Sequence, residues 1–264
     1  MIWEIWQYLN TPTALHYAKP MGFVKESIAM AARAKRCQTT WQPHYQACQD
    51  AILEIAELCE EKRKVLIFGA GSLQDIPLDA LSELFDQVLL VDLVFLPDAR
   101  NQAAAYTNVQ LIEYDVTESL DDLYHGNHYV AIPKRWLNDF GVDLVVSLNL
   151  MTQLPLMPVK WLESHFQLDE VEADDLGQML MAAHLHYLQQ FSEHADSRDN
   201  PLICLISDRW VQRFDKNGQL IKEFDPWGDV LKPETQKEWD WQIMPLGEAS
   251  RHYSQVNRVG VSIL

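Results

Sequence analysis

The sequence predicts a doubly wound α/β fold: a mostly parallel seven-stranded sheet with an antiparallel edge strand and an N-terminal helical extension. Between residues 65 and 147, apolar runs alternate with helical or polar segments, which is typical of parallel sheets. The runs are almost purely apolar, as expected for strands covered on both faces. Turn signals near Gly218 and Gly247 then predict antiparallel pairing at one sheet edge.

The first 62 residues are predicted to form a helical extension or lid, and residues 63–264 the sheet domain. A helical pattern runs from residue 25 to about residue 64, and Pro43 is expected to divide it into two pieces. Cys37, Cys48 and Cys59 are spaced to share one helical face, which favours burial as small apolar side chains.

The elements of the sheet domain follow from apolar period and turn residues. Strands are predicted at 65–68, 88–91, 109–113, 142–147 and 201–207, with later strands at 241–244 and 256–264. Helices are predicted at 75–85, 97–106 and 171–192. No repeat or linker divides this region, so we expect one domain.

Composition narrows the classes of partner. The formal net charge is −17, and a protein that wraps nucleic acid normally presents a basic face, so nucleic acid is not expected as a partner. No apolar run approaches the roughly twenty residues of a membrane span, so no membrane partner is expected either. Cysteine pairs with zinc-site spacing are absent from the sequence, which predicts no metal site and fits a reducing cytoplasm.

Residues 65–75 carry the most informative motif. A buried strand leads into a turn that contains Gly69, Ala70 and Gly71, and a helix is expected to follow. The second apolar run ends in a carboxylate, Asp92. Glycines at such a turn allow the backbone to approach a ligand, and an acid at this spacing can accept hydrogen bonds from ribose hydroxyls. The motif therefore predicts a nucleotide site.

Two kinds of nucleotide site fit this motif poorly. A P-loop requires a Lys-Ser/Thr pair after its last glycine, which is missing. The dinucleotide fingerprint requires a third glycine, and this chain has Gln74 there. An NAD(P)-dependent oxidoreductase therefore stays only as a weaker alternative.

The succession of motifs resembles the class I S-adenosylmethionine-dependent methyltransferases, over most of the chain. This resemblance implies that S-adenosylmethionine is the cofactor and that a small molecule is methylated. The implied cofactor-binding residues are Gly69, Ala70, Gly71, Asp75, Asp92, Leu93, Asp115, Val116 and Asn149. Asp92 would bind the ribose hydroxyls, Asp115 the adenine amino group, and Asn149 would lie beside the transferred methyl.

The first motif departs from the family pattern at two positions. Ile67 stands where the family has an acid that senses the methionine ammonium, and Leu73 replaces a glycine. Asp75 either takes over the charge recognition or caps the following helix. Asp115 has the same two interpretations, ligand binding or helix capping. These departures keep open the alternative of a catalytically inactive binding or scaffold protein.

Several polar residues are candidates for contact with the methyl acceptor. Arg33, Arg36, Trp41 and His44 precede the first motif, Gln153 follows the fourth strand, and Asp208 and Arg209 follow the fifth. An arginine pair with an aromatic ring would suit a carboxylate or phosphate, although such residues also tie an extension to a domain body. No catalytic residue is identified, because alignment of a nucleophile with the methyl group supplies much of the catalysis.

Overall fold

A computed structural model describes residues 2–139, 141–194 and 200–264. The described helices are α1 (Ile2–Asn10), α2 (Phe23–Arg36), α3 (Gln38–Leu58), α4 (Leu78–Leu84), α5 (Pro97–Ala103), α6 (Leu120–Tyr124), α7 (Leu156–Phe166) and α8 (Glu170–His194). The strands are β1 (Lys64–Phe68), β2 (Gln87–Asp92), β3 (Val109–Glu113), β4 (Val142–Leu148), β5 (Leu202–Asp215), β6 (Leu220–Phe224), β7 (Lys237–Met244) and β8 (Tyr253–Ile263).

The sheet has the order β3-β2-β1-β4-β5-β8-β7, and β6 pairs with the far end of β5. Strands β1 to β5 are parallel, whereas β8 is antiparallel to β5 and β7 is antiparallel to β8. The predicted fold class, a mostly parallel sheet with antiparallel pairing at one edge, is confirmed. The described strands number eight rather than seven.

The additional strand arises because β5 is longer than predicted. It continues past residue 207 to Asp215, turns at 216–219 and returns as β6. The main-chain amide of Asp215 donates to the carbonyl of Gln219, and Gly218 takes a φ of +80°, which glycine adopts without strain. The turn signal was therefore correct, but the polar return strand lacks the apolar pattern that identifies buried strands. All of β6 is exposed.

The strands of the sheet separate two apolar cores. On one face, Val65 and Ile67 of β1 belong to a cluster that includes α3, and on the other face Leu66 and Phe68 pack with residues of α8. This alternation follows from the two-residue period of a strand. Ile67 is completely buried, so the position that is acidic in the resembled family is a core position in this chain.

The N-terminal helices join the same core. Residues from Ala34 to Cys59 belong to one apolar cluster with β1, β4 and β7, and all four cysteines are buried and free. The expected division at residue 62 stays a prediction. None of the described helices has the length and apolar character needed to cross a membrane.

The predicted helix break at Pro43 is wrong. Pro43 lies inside α3, and the chain breaks instead at Cys37, whose φ of −101° and ψ of 14° are not helical. Pro43 is the sixth residue of α3, so its missing amide removes the hydrogen bond that would reach the carbonyl of Thr39, and the helix nevertheless continues to Leu58. The helix therefore tolerates this proline near its beginning.

Candidate functional site

The topology brings the polar residues of the first motif to the point where the chain reverses its direction across the sheet. After β1 the chain adds β2 and β3 on one side, and β4 and β5 then build the other side. In open α/β sheets, ligands bind in the crevice outside the carboxyl ends of the strands at such a switch point. The candidate site therefore lies beyond Phe68 of β1 and Leu148 of β4.

The glycine turn after β1 is held close to both neighbouring strands. The main-chain amides of Gly69 and Ala70 both donate to the carbonyl of Val91 in β2. Gly69 has a φ of +84°, and a Cβ atom there would overlap the carbonyl oxygen of Leu148 in β4. Only glycine fits this position without displacing a strand, because both the backbone angle and the space exclude a side chain.

Gly71 brings the turn against the carboxylate at the end of β2. The Gly71 amide donates to Asp92 Oδ2 at 2.9 Å, and the Val94 amide donates to Oδ1 at 3.3 Å. A Cβ atom on Gly71 would lie 3.0 Å from Oδ2. An ionised carboxylate has about four acceptor positions, so two remain for a ligand diol. Burial raises the pKa of Asp92 to about 6, and the neighbouring Leu93 is half-buried.

Asp115 is in a different situation, because its own loop uses its acceptor capacity. Oδ1 accepts hydrogen bonds from the amide and the hydroxyl of Thr117, and Oδ2 accepts from the amides of Ser119 and Leu120. These four donors fill the carboxylate. The geometry therefore favours helix capping over adenine recognition, while the adjacent Val116 is buried against the α8-side core. Contact of Asp115 and Val116 with a cofactor stays a prediction.

Asp75 and Asn149 connect the turn after β1 with the end of β4. Asn149 Nδ2 donates to Asp75 Oδ2 at 3.0 Å. Asn149 has a φ of +50° and Leu73 a φ of +59°, so both strand ends leave ordinary backbone geometry here. Burial raises the pKa of Asp75 to about 6, and the bond from Asn149 partly opposes this increase. The buried Asn149 Oδ1 has no hydrogen-bond partner.

His44 of α3 reaches the same place with a defined tautomer. The indole N–H of Trp239 donates to His44 Nδ1 at 3.0 Å, and Trp241 stacks on the imidazole with ring centres 3.9 Å apart. An indole only donates, so Nδ1 is the acceptor and a neutral imidazole carries its proton on Nε2. Burial lowers the pKa of His44 to about 3, which keeps the ring neutral.

That tautomer leaves the polar cluster incompletely paired. His44 Nε2 lies 3.2 Å from Asn149 Nδ2, so this contact brings two donors together, and Nε2 also lies 3.7 Å from the Cys48 sulfur. Rotating the Asn149 amide would pair its oxygen with Nε2 but would place that oxygen against Asp75. No orientation of the amide satisfies Asp75, His44 and Asn149 together.

His44, Cys48 and Asp75 also have the spacing of a metal-ligand set, with one ligand atom of each within 4.8 Å of the others. Their protonation opposes that use. Nε2 of His44 carries the proton that a metal would have to replace, and burial raises the pKa of Cys48 well above its ordinary value, so the sulfur is a thiol. The donors therefore fit a hydrogen-bonding cluster better than a metal centre. The predicted absence of a metal site stays a prediction.

A second carboxylate borders this cluster from the middle of β5, just past its last pair with β4. Asp208 Oδ2 accepts from the hydroxyl of Thr152 at 3.1 Å, the Asn257 side chain also lies beside the carboxylate, and the buried Oδ1 has no hydrogen-bond partner of good geometry. The main-chain amide of Asn149 donates to the carbonyl of Ile206, which joins the end of β4 to this part of β5. Burial raises the pKa of Asp208 to about 6, and the charges of Asp75 and Asp208 both raise the pKa of Cys48.

The residues predicted to contact the methyl acceptor have different surroundings, and their role in binding it stays a prediction. Arg36 forms an ion pair with Glu248 in the loop between β7 and β8, and Arg33 Nε lies 3.9 Å from the same carboxylate. Trp41 is buried and donates to the carbonyl of Ile243 at 3.2 Å. These contacts tie the extension to the sheet domain, which is the alternative function considered for an arginine pair.

The two later candidates have separate surroundings. Arg209 is buried, donates to the carbonyl of Pro233 at 2.6 Å and lies over the ring of Trp227. Gln153 is exposed and donates to the carbonyl of Asn149 at 2.7 Å, so it adjoins the candidate site. A role for either residue in substrate binding stays a prediction.

The sequence analysis includes His44 and Asp208 among the candidates but does not assign the other side chains that complete the site, namely Cys48, Thr152, Trp239 and Trp241. His44 and Cys48 lie one helical turn apart on α3, which is a detectable signal for a shared face. The tryptophans approach only through the β7–β8 pairing, which local patterns do not predict.

A wide, open concavity of about 560 Å³ lies elsewhere, between α8 and the loop at residues 229–231. It shares no residue with the strand-end cluster, by which we mean His44, Cys48, Asp75, Asn149 and Asp208. Its lining combines the exposed Met179 and Leu231 with polar residues such as His186 and Asp229 on an open surface, and it lies away from the glycine turn. Ligand sites combine a formed apolar pocket with a few placed polar groups, so the strand-end cluster is the better candidate.

Comparison with known proteins gives distant structural resemblances. Neither family models nor curated proteins match this chain. A complex of DhpI with SAH is 14% identical over 88% of this chain and 93% of that chain, with a TM-score of 0.40. The 1,6-didemethyltoxoflavin-N1-methyltransferase of Burkholderia thailandensis, with bound 1,6-didemethyltoxoflavin and S-adenosylhomocysteine, is 14% identical over 89% of both chains, with a TM-score of 0.39. The N-methyltransferase NodS of Bradyrhizobium japonicum is 10% identical over 83% of this chain and 97% of that chain, with a TM-score of 0.35.

The sheet itself defines the fold. Five parallel strands have the order 3-2-1-4-5, and the last strand of the chain is inserted antiparallel beside the fifth. The glycine turn follows the first strand, and Asp92 ends the second. The chain thus has a Rossmann-like, doubly wound fold with antiparallel strands at one edge of the sheet.

Proposed function

We propose that this chain is an S-adenosylmethionine-dependent methyltransferase that acts on a small molecule. The observation that carries the proposal is the contact between Gly71 and Asp92 at the switch point of the sheet. There a side-chain-free backbone and a carboxylate with spare acceptor capacity face the same crevice. This pairing suits the ribose of a nucleoside cofactor.

The charge of the site supports a cationic cofactor. Asp75, Asp92 and Asp208 form no ion pair with any lysine or arginine among the described residues, although burial raises the pKa of each to about 6. These three side chains are half-buried, and carboxylates drawn away from water are normally paired with a cation. The ammonium and sulfonium of S-adenosylmethionine would supply positive charge here, with Asp92 holding the ribose and Asp75 the ammonium.

The cofactor, when bound, supplies an electrophilic methyl group. The protein then has to hold an acceptor in line with that methyl group and to exclude competing nucleophiles such as water. Asn149 and the neighbouring 3-10 turn at Met151–Gln153 lie at the end of β4, beside the glycine turn. We assign to these residues the orientation of the acceptor.

A second candidate is a protein of this fold that binds the cofactor without transferring its methyl group. Ile67 favours this alternative, because an apolar core residue stands where the family acid would be and leaves Asp75 as the nearest charge for the ammonium. Binding alone does not separate the two candidates, whereas turnover with an identified acceptor does.

Calorimetric titration with S-adenosylhomocysteine, with NADH in a parallel cell, tests the proposed cofactor. We expect micromolar affinity for S-adenosylhomocysteine and no binding of NADH. Asp92→Asn should weaken the affinity at least tenfold, because it replaces an ionised acceptor of hydroxyl groups with an amide. The matched control is Asp86→Asn, an exposed carboxylate that precedes β2, which should leave the affinity unchanged.

Binding of NADH alone would instead assign the site to redox chemistry. If neither ligand binds, the proposal is wrong and Ile67 and Leu73 have closed the crevice.

A further inference from the structure

The strand-end cluster contains acceptor atoms that the described protein leaves unused. Asn149 Oδ1 and Asp208 Oδ1 are both buried without a hydrogen-bond partner. A buried polar atom without a partner costs about 1–3 kcal/mol, so two such acceptors at neighbouring strand ends indicate a missing donor. Both belong to the edge at which the proposed cofactor would bind.

The two acceptors are held in place by independent contacts. The main-chain amide of Asn149 donates to the carbonyl of Ile206 in β5, and its side-chain amide donates to Asp75. Asp208 is fixed by the hydroxyl of Thr152, which lies three residues after Asn149. The site is therefore built by the end of β4 and the adjoining middle of β5.

The tautomer of His44 adds an independent observation. Because Trp239 occupies Nδ1, the Nε2 proton of His44 points toward Asn149, whose amide cannot pair with both His44 and Asp75. With the amide nitrogen on Asp75, the Asn149 oxygen needs a donor from outside the protein. A ligand that completes this arrangement has to donate at least two hydrogen bonds to acceptors, one of which is a carboxylate.

An ammonium group meets that requirement. It supplies up to three N–H donors and a positive charge, which would pair with the Asp208 carboxylate. A hydroxyl group donates only one hydrogen bond, and a carboxylate or phosphate substrate would be repelled by Asp75 and Asp208. Trp239 borders the cluster through its hydrogen bond to His44, and Trp241 is buried against His44 and Trp41, so the border of the cluster on this side is apolar.

We propose that the methyl acceptor is an amine, which Asn149 and Asp208 bind through its N–H groups and which Asp208 deprotonates. This inference rests on the proposed function. Asp208 first takes one proton from the bound ammonium, the lone pair of the resulting amine nitrogen then forms the bond to the methyl carbon, and the sulfur–methyl bond breaks with its electron pair remaining on sulfur. Asp208 is thus a catalytic residue, and Thr152 is a positioning residue that orients it.

The test uses the protein saturated with S-adenosylhomocysteine and compares two probes of the same shape. Calorimetry measures the affinity for 2-phenylethylamine and for 2-phenylethanol, which differ in the charged donor group. We expect the amine to bind at least tenfold more tightly than the alcohol. Asp208→Asn should reduce this preference to less than threefold while leaving the affinity for S-adenosylhomocysteine within about twofold of the original. The exposed Asp86→Asn should retain the preference.

A second variant protects the test against misfolding of Asp208→Asn. Asn149→Gly removes the other acceptor and keeps a residue that tolerates positive φ, and it should also reduce the preference for the amine. Equal affinity for the two probes, binding of neither, or a preference that persists in both variants would overturn the inference. A preference that disappears with EDTA would assign the cation site to a metal at His44, Cys48 and Asp75 instead. Failure of S-adenosylhomocysteine itself to bind would refute the proposed function separately.

Discussion

The two ends of strands β1 and β4 use carboxylates in opposite ways. At the amino end, Asp143 accepts from the main-chain amide of Arg63 at 2.6 Å and also pairs with its guanidinium, while Lys64 pairs with Asp139. At the carboxyl end, Asp75 and Asp208 face an amide and a hydroxyl but no cation among the described residues.

The difference distinguishes carboxylates that stabilise the fold through ion pairs from carboxylates that are available to a ligand. A paired carboxylate at the amino end stabilises the sheet, because its removal leaves donors without an acceptor. An unpaired carboxylate at the carboxyl end destabilises the free protein, because its burial is not repaid by a counter-charge. Substitutions at the two ends should therefore have opposite effects on stability.

The largest effect is expected at Gly69, in the glycine turn that follows the carboxyl end of β1. Gly69→Ala should lower the free energy of unfolding by about 3 kcal/mol and abolish binding of S-adenosylhomocysteine, because a Cβ atom would overlap the carbonyl of Leu148. Gly218→Ala is the control: it has a similar φ of +80° but open space, and should cost only about 1 kcal/mol. Chemical denaturation measures both. Equal losses would mean that φ alone, and not the approach of β4, demands glycine.

The two ends can be compared directly with isosteric substitutions. Asp143→Asn should destabilise the protein by about 2 kcal/mol, because the ion pair with Arg63 and the bond from its amide are weakened. Asp208→Asn should stabilise the free protein by about 1 kcal/mol at pH 8, because a buried charge without a counter-charge is removed. Urea denaturation of both variants is the measurement. Destabilisation of similar size by both would break the comparison.

The pH dependence of stability sharpens the same point. Asp75, Asp92 and Asp208 have folded-state pKa values raised to about 6, above the unfolded value of about 3.9. Between these values the folded state holds more protons on the three carboxylates, so their contribution to the unfolding free energy rises as the pH falls from 7 to 5. His44 and His184 act in the opposite direction, because burial lowers their pKa values to about 3 and about 4 while the unfolded imidazoles bind protons in this window. The Asp208 contribution is isolated by difference: the unfolding free energy of the unsubstituted protein minus that of Asp208→Asn should rise by about 1 kcal/mol from pH 7 to pH 5, and a constant difference would contradict the raised pKa of Asp208.

The smallest effect is expected at the arginine pair. Arg36→Gln should cost less than about 1 kcal/mol, because its side chain is 54% exposed and exposed ion pairs contribute little. It should leave the affinity for S-adenosylhomocysteine unchanged, since Arg36 contacts Glu248 and not the strand ends. A loss of more than tenfold in ligand affinity would restore the original interpretation of Arg33 and Arg36 as a substrate lid.

Three features could be predicted from the sequence: the parallel sheet, the glycine turn after β1 and the position of Asp92 opposite that turn. These features are local: apolar runs specify buried strands, Gly69 is required by its backbone angle and surroundings, and Asp92 follows at a fixed spacing. The length of β5 and the polar strand β6 were not predictable, because an exposed strand that depends on its partner has no apolar signature.

Which polar residues are in contact could be learned only from the folded structure. There Asp115 accepts from its own loop, and Arg33 and Arg36 lie beside Glu248. His44 contacts Asn149, and Asp208 contacts Thr152, three residues after Asn149. The physical reason is that hydrogen-bond pairing is settled among all groups within reach after the strands have aligned. Sequence spacing identifies the strand end on which a carboxylate stands, whereas the packing of α3 and β7 against the sheet determines whether that carboxylate finds a partner.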